Sequence, residues 1–112
     1  TGRIAVLATP STIRTGGFDR TIAALRPEAK VCGVGCPMFV PLVENGYIAR
    51  DCEVTRTIAA EYVSKLVSFD PDVIILGCTH YPLIKDIVAD AAQTLFGKPV
   101  TLVDSGSAAA DA

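Results

Sequence analysis

The stretch that decides the fold reads Val73-Ile74-Ile75-Leu76-Gly77-Cys78-Thr79-His80-Tyr81-Pro82-Leu83-Ile84. Its first four residues form an apolar, mostly β-branched run, which is typical of a strand buried inside a parallel sheet. A glycine then marks a tight exit turn. A helical pattern begins near Pro82, because proline is tolerated in the first turn of a helix. The stretch therefore predicts that Cys78 lies at the carboxyl end of a strand and just before a helix N-terminus.

Outward from this stretch, strand-like and helix-like segments alternate along the chain. Apolar runs predict strands at residues 4–8, 30–34, 73–76 and 100–103, and residues 9–12 are expected to form a loop. Helical spacing predicts helices at 18–25, 54–67 and 83–96, a short helix that ends at Gly46, and a last helix from Ser105 onward. We expect the apolar stripes of these helices, including Leu25 and Leu95, to belong to the core. This order predicts an α/β fold of three layers, a mostly parallel four-stranded sheet with helices on both faces.

Length and composition limit the classes of protein that fit this chain. Its 112 residues suit a single domain, half of them are apolar, and the mean hydropathy is +0.42. No apolar run approaches the roughly 20 residues that cross a bilayer, and no signal peptide is visible. A net charge of −2 gives no support for nucleic-acid binding. We expect a cytoplasmic globular domain.

Four cysteines raise the question of a disulfide or a metal site. None of their spacings is C-x-x-C, and a Cys₃His site has no supporting spacing, so we expect no metal and reduced thiols. Cys32 is expected to be a small core residue, and Cys52 an incidental residue near a helix start. Only Cys78 is expected to have the surroundings of a reactive thiol, because a helix N-terminus lowers the pKa of a thiol.

Several segments together resemble a known family. Residues 77–83 resemble a motif of the glutamate racemases, which belong to the cofactor-independent aspartate/glutamate racemase superfamily. Residues 36–46 resemble the stretch that leads to the acidic residue of that family, residues 8–12 its first threonine-bearing loop, and residues 103–106 the strand end that returns to the other lobe. The resemblance covers essentially the whole chain. It implies that residues 1–112 are one flavodoxin-like lobe of a two-lobe racemase, an excised or truncated domain that carries the second catalytic cysteine.

The resemblance also implies catalytic residues. Racemisation removes the α-proton from one face of an amino acid and returns a proton to the other face, so a pair of acid–base groups must flank the α-carbon. Thiols suit this task, since thiol and thiolate are both accessible near neutral pH. Cys78 is implied to be one member of the pair, with no cofactor. His80 is implied to tune this thiol, and Glu44 to pair with the histidine.

The implied substrate site lies around the same strand ends. Thr79 and His80 are implied to hold the carboxylate of glutamate, and Thr9 and Thr12 to add hydroxyl contacts. The implied partners are glutamate and the missing second lobe, without nucleic acid or membrane, and a homodimer of the full-length enzyme stays open. The product would be D-glutamate for peptidoglycan and cell shape. The isolated chain is expected to be inactive, because half of the acid–base pair is missing.

Other functions fit the residues when the resemblance is set aside. The Cys78 and His80 pair also suits a nucleophilic hydrolase or amidotransferase lobe, although no oxyanion loop or third triad member is evident. A non-catalytic α/β binding domain is a further alternative. The same fold also serves racemases of aspartate or hydantoins. The Thr79-His80 pair and residues 39–44 favour glutamate.

Overall fold

The computed structural model describes residues 2–77, 81–98 and 100–104 of the chain. Strands and helices alternate in this part of the chain, and their bounds follow in chain order. They are β1 (Arg3–Ala8), α1 (Pro10–Thr15), α2 (Gly17–Leu25), β2 (Lys30–Gly35), α3 (Phe39–Glu44), α4 (Glu53–Ser64), β3 (Val73–Leu76), a 3₁₀ turn (Tyr81–Ile84), α5 (Lys85–Phe96) and β4 (Thr101–Asp104).

The four strands form one sheet in the order β2-β1-β3-β4, and each neighbouring pair is parallel. β1 is central and buried on both of its faces, as expected of a strand in a covered parallel sheet. Alternate residues of β1 belong to different apolar clusters, with Leu7 on one side of the sheet and Val6 on the other. The predicted α/β fold with a parallel sheet is confirmed.

Helices cover both faces of this sheet. The larger apolar cluster packs α3, α4 and α5 against one face, and its fully buried members include Phe39, Val63 and Val88. The smaller cluster packs α1 and α2 against the other face through Ile13 and Ile22. The three layers predicted from the alternation of strands and helices are therefore present.

Two local predictions differ from the structure. Residues 10–15 form the helix α1, where a loop was expected. Thr9 caps this helix and Pro10 occupies its first turn, and both residue types are typical of a helix start. The helix has only six residues, which is too short to show a helical spacing of apolar residues in the sequence. The helix predicted from residue 83 begins with a 3₁₀ turn instead, and regular α-helix starts at Lys85.

The apolar stripes are less completely buried than predicted. Leu25, the last residue of α2, is 77% exposed, whereas Ile22 of the same helix is buried in the smaller cluster. Leu95 is 38% exposed and lines an open groove between α4 and α5. The helix expected from Ser105 onward lies outside the described residues. Within the described ranges, no helix combines the length and apolar character that a bilayer crossing demands.

Candidate active site

The strand order places a topological switch point at the carboxyl edge of the sheet, between β1 and β3, and we call this place the crevice. β1 and β3 are neighbours, while β2 and β4 flank them on opposite sides, so the connections that follow β1 and β3 diverge. In open α/β sheets, ligands bind at such a switch point. Leu7 of β1 lies in register with Leu76 of β3, and the Gly77 amide donates to the Leu7 carbonyl at 2.8 Å. Because Leu7 is in register with Leu76, Gly77 lies beside Ala8, and Thr9 leaves the sheet one residue further along.

Thr9 and Thr12 meet at this crevice, on the side of β1. The two hydroxyl oxygens are 2.8 Å apart, and the Thr9 hydroxyl also accepts from the Thr12 amide at 3.4 Å. Both side chains are only partly buried. The geometry assigns Thr9 a role as the N-cap of α1. Because a hydroxyl has one donor and two acceptor positions, this role leaves capacity for a ligand.

A glycine allows α1 to approach the sheet closely at this point. A Cβ atom on Gly35, the last residue of β2, would lie 3.2 Å from the Cα of Pro10. That distance is shorter than an ordinary van der Waals contact. The atom that the Cβ would meet belongs to the backbone, so it cannot move aside as the end of a side chain could. Gly35 therefore keeps Thr9 and the start of α1 close to the strand ends.

Glu44 is the last residue of α3, and its side chain is exposed. The helix that carries it packs against the 3₁₀ turn that begins at Tyr81. The Phe39 ring meets the Tyr81 ring edge-on at a centroid distance of 5.2 Å and an angle of 82°. The helix that ends at Glu44 is thereby joined to the residue that follows His80 in the chain.

Cys78, Thr79 and His80 lie outside the described residues. The roles predicted for them therefore stay predictions. Their chain neighbours on both sides, Gly77 and Tyr81, are described, the first bonded to β1 and the second fully buried in the core.

The three cysteines within the described residues differ in their surroundings. Burial raises the pKa of the Cys36 thiol to about 12, so this sulfur at the end of β2 stays protonated near neutral pH. Cys32 is partly buried and packs against the core, as predicted.

Cys52 departs from its prediction as an incidental residue. It precedes the first residue of α4, and hydrogen bonds from the backbone amide and then the hydroxyl of Thr55 lower the pKa of its thiol. The expectation that only Cys78 has surroundings favouring a thiolate is therefore wrong. The position of Cys52 directly before Glu53 at a predicted helix start was the signal in the sequence.

Among the described residues, one charged cluster adjoins a groove between α4 and α5. Arg50 and Arg56 both pair with Asp90, at 2.7 and 3.0 Å, and Arg56 and Asp90 line the groove between α4 and α5. Across the ranges that the structure describes, no three His, Cys, Asp or Glu side chains come together as a metal site.

Comparison with known proteins identifies the family. The family model described as "Asp/Glu/Hydantoin racemase" matches residues 1–112. The chain belongs to this family. The racemase-family chain is 41% identical, over 112 residues, to a glutamate racemase from Syntrophus aciditrophicus, covering 100% of this chain and 39% of that protein. It is 40% identical, over 105 residues, to a glutamate racemase from Lactiplantibacillus plantarum, covering 94% and 36% of the two chains.

Solved racemase structures share its fold. The crystal structure of glutamate racemase from Francisella tularensis in complex with D-glutamate superposes with a TM-score of 0.81 at 31% identity, covering 93% of this chain and 36% of that one. Glutamate racemase isoform RacE1 from Bacillus anthracis superposes with a TM-score of 0.78 at 30% identity, covering 93% and 37%. This racemase-family chain spans less than two fifths of the length of these relatives.

Proposed function

We propose that the chain is one lobe of a cofactor-independent glutamate racemase and that it carries one of the two catalytic cysteines, Cys78. The whole-chain match to the racemase family carries this proposal, and relatives named glutamate racemase favour glutamate over aspartate or a hydantoin. The length supports a single lobe, since the chain spans 39% of its relative from Syntrophus aciditrophicus.

The shape of the strand ends supports a substrate site at the crevice between β1 and β3. Gly77 directly follows β3 and donates to the Leu7 carbonyl, and Cys78 is the next residue in the chain. Thr9 and Thr12 present partly buried hydroxyls on the neighbouring strand end. An amino-acid substrate needs hydrogen-bond donors for its carboxylate and a base for its α-proton. Hydroxyl groups can supply the donors, and a thiolate can supply the base.

In the proposed reaction, the thiolate of one cysteine takes the α-proton of glutamate while the thiol of the other gives a proton to the opposite face. The first sulfur ends as a thiol and the second as a thiolate, so charge and protons balance. The opposing thiol comes from the part of the enzyme that this chain does not include. Charge that develops on the α-carbon and the carboxylate is stabilised by positioned donors.

Each remaining site residue has a role in this proposal. His80 exchanges protons with Cys78 or polarises the substrate carboxylate, because an imidazole titrates near neutral pH. Glu44 pairs with His80 and sets its tautomer and charge. Thr79, with Thr9 and Thr12, holds the carboxylate of glutamate. The D-glutamate formed would serve peptidoglycan synthesis.

Solvent isotope exchange tests the proposal. The complete parent enzyme is incubated with L-glutamate in deuterium oxide, and the product is analysed by chiral chromatography and mass spectrometry. We expect D-glutamate with one deuterium at the α-carbon, and much slower exchange with aspartate. The isolated chain of residues 1–112 serves as the matched control and should show no turnover.

Two outcomes would contradict the proposal. Turnover by the isolated chain would mean that one lobe is sufficient. An acyl-thioester on Cys78 without deuterium in glutamate would indicate a nucleophilic hydrolase or amidotransferase instead.

A further inference from the structure

Three aromatic rings meet beneath the carboxyl edge of the sheet. Phe39 begins α3, Tyr62 lies on α4, and Tyr81 begins the 3₁₀ turn. The Phe39 ring meets Tyr62 edge-on at 4.9 Å and 89°, and Tyr81 edge-on at 5.2 Å and 82°. Phe39 and Tyr81 are fully buried and Tyr62 is 6% exposed. We call these three residues the aromatic cluster.

Two hydroxyls of the aromatic cluster also hold the turn that leads from β2 into α3. The Tyr62 hydroxyl accepts from the Met38 amide at 3.0 Å, which satisfies a donor at a helix start that has no side-chain cap. The Tyr81 hydroxyl donates to the Cys36 carbonyl at 3.4 Å, a longer and weaker contact. The turn before α3 is therefore held from α4 and from the 3₁₀ turn.

These contacts help to fix the position of the helix α3, together with its buried residues Leu42 and Val43. It has six residues, and a helix of this length is not stable on its own, so tertiary packing must hold it. Phe39 sits at its start and Glu44 at its end. Because edge-on aromatic contacts have a defined geometry, they restrain the helix more closely than an aliphatic contact of the same area.

We infer that the aromatic cluster is a positioning device for the proposed racemase reaction: through Phe39 and Tyr62 it holds Glu44, the last residue of α3, in a set place relative to Tyr81, the residue that follows His80 in the chain. The inference rests on the proposed function, in which Glu44 pairs with His80. The three rings are buried, so they act on the reaction through α3 and the 3₁₀ turn and not by touching glutamate. Small displacements of a catalytic group lower the rate disproportionately.

A matched pair of variants in the complete parent enzyme tests this inference. Phe39→Leu removes the ring and both edge-on contacts. Ile22→Ala removes the same number of side-chain carbons from the opposite face of the sheet, on a helix that carries no proposed site residue. We expect Phe39→Leu to lower kcat roughly tenfold, to leave KM within about twofold, and to move a limb of the pH–rate profile by about half a unit.

The control should lose thermal stability to a similar extent and keep the wild-type kcat and pH–rate profile. A Phe39→Leu enzyme with the kcat and the pH–rate profile of Ile22→Ala would overturn the inference, since the cluster would then only fill the core.

Tyr62→Phe provides a second test that does not depend on the folding of Phe39→Leu. It preserves the ring and the core volume but removes the acceptor of the Met38 amide. We expect kcat about threefold lower, with the same direction of change in the pH–rate profile. A wild-type rate and profile for this variant would contradict the inference. Failure of the proposed function is a separate result, because the unmodified enzyme would then show no isotope exchange.

Discussion

The backbone amide of Gly77 donates a hydrogen bond of 2.8 Å to the carbonyl of Leu7. This bond extends the ladder between β1 and β3 by one residue beyond the in-register pair of Leu7 and Leu76. The bond therefore restrains the chain at Gly77, directly after the strand β3 that borders the crevice.

Replacing Cys78 by serine in the complete enzyme should remove racemisation with little loss of stability. A serine hydroxyl is far less acidic than a thiol, so the variant loses one of its two proton carriers, and we expect kcat to fall by about 10² to 10⁴. Deuterium incorporation at the α-carbon measures the effect. Cys52→Ser is the control and should retain the wild-type rate. Equal rates for the two variants would refute the assignment of Cys78.

Adding a methyl group at Gly35 should disturb the substrate side of the crevice. The new Cβ would lie 3.2 Å from the Pro10 Cα, so α1 must shift, and we expect a loss of about 1–3 kcal/mol in unfolding free energy together with a raised KM. Gly33→Ala meets only the flexible end of Ile13, at 3.0 Å, and should cost less. Gly2→Ala meets nothing within 4 Å and is the control. Urea titration of the three variants should give that order, and a Gly35→Ala protein as stable as Gly2→Ala would disprove the steric argument.

The regular elements were predictable because their apolar patterns are long or strongly β-branched. The run from Val73 to Leu76 is the strand β3, and Gly97 closes α5 in a left-handed conformation. The parallel order followed from the alternation of strands and helices. In the structure β1, β2 and β3 end at residues 8, 35 and 76. Each of these carboxyl ends lies within one residue of the end that the sequence predicts.

The missed features depend on neighbours that a local pattern does not contain. α1 has too few residues to show a helical period, and it is stabilised by packing of Ile13 over Gly33. The aromatic contacts between Phe39, Tyr62 and Tyr81 join residues up to 42 positions apart, since 81 − 39 = 42, and no sequence periodicity links them. Leu25 and Ile22 share the predicted apolar stripe of α2, yet Leu25 is exposed and Ile22 is buried, a difference that the spacing alone does not contain.

The thiols of Cys36 and Cys52 should differ strongly in reactivity. Burial raises the pKa of Cys36 to about 12, whereas hydrogen bonds from Thr55 lower the pKa of Cys52. Only the thiolate is nucleophilic. Iodoacetamide at pH 7.5, about one unit below the pKa of a free thiol, should therefore label Cys52 before Cys36. Cys36 should react only after unfolding in urea. Peptide mass spectrometry follows both sites, and equal labelling rates in the native protein would contradict the predicted order.

Removing the Thr9 hydroxyl should affect both stability and substrate affinity. Thr9→Ala deletes the N-cap of α1 and the contact with the Thr12 hydroxyl, so we expect a loss of about 1 kcal/mol in unfolding free energy. If the hydroxyl also holds glutamate, KM of the complete enzyme rises severalfold. Thr9→Ser keeps the hydroxyl and is the matched control for both measurements. An unchanged KM in Thr9→Ala would limit Thr9 to capping the helix.

The ion pairs of Asp90 should make stability depend on pH in the acid range. Arg50 and Arg56 hold the pKa of Asp90 at about 2, below the ordinary value of about 3.9, so the folded state favours the charged carboxylate. The resulting stabilisation is present above about pH 4 and is lost as the pH falls through 2. Asp90→Asn should therefore lower the urea midpoint at pH 6, and most of this difference from the unmodified protein should be lost at pH 2, where about half of the folded molecules have a protonated Asp90. Because the pairs lie at the surface, 1 M salt should shrink the difference at pH 6. A double-mutant cycle with Arg50→Gln isolates one pair, and a coupling as large at pH 2 as at pH 6 would show that its origin is not the charge of Asp90.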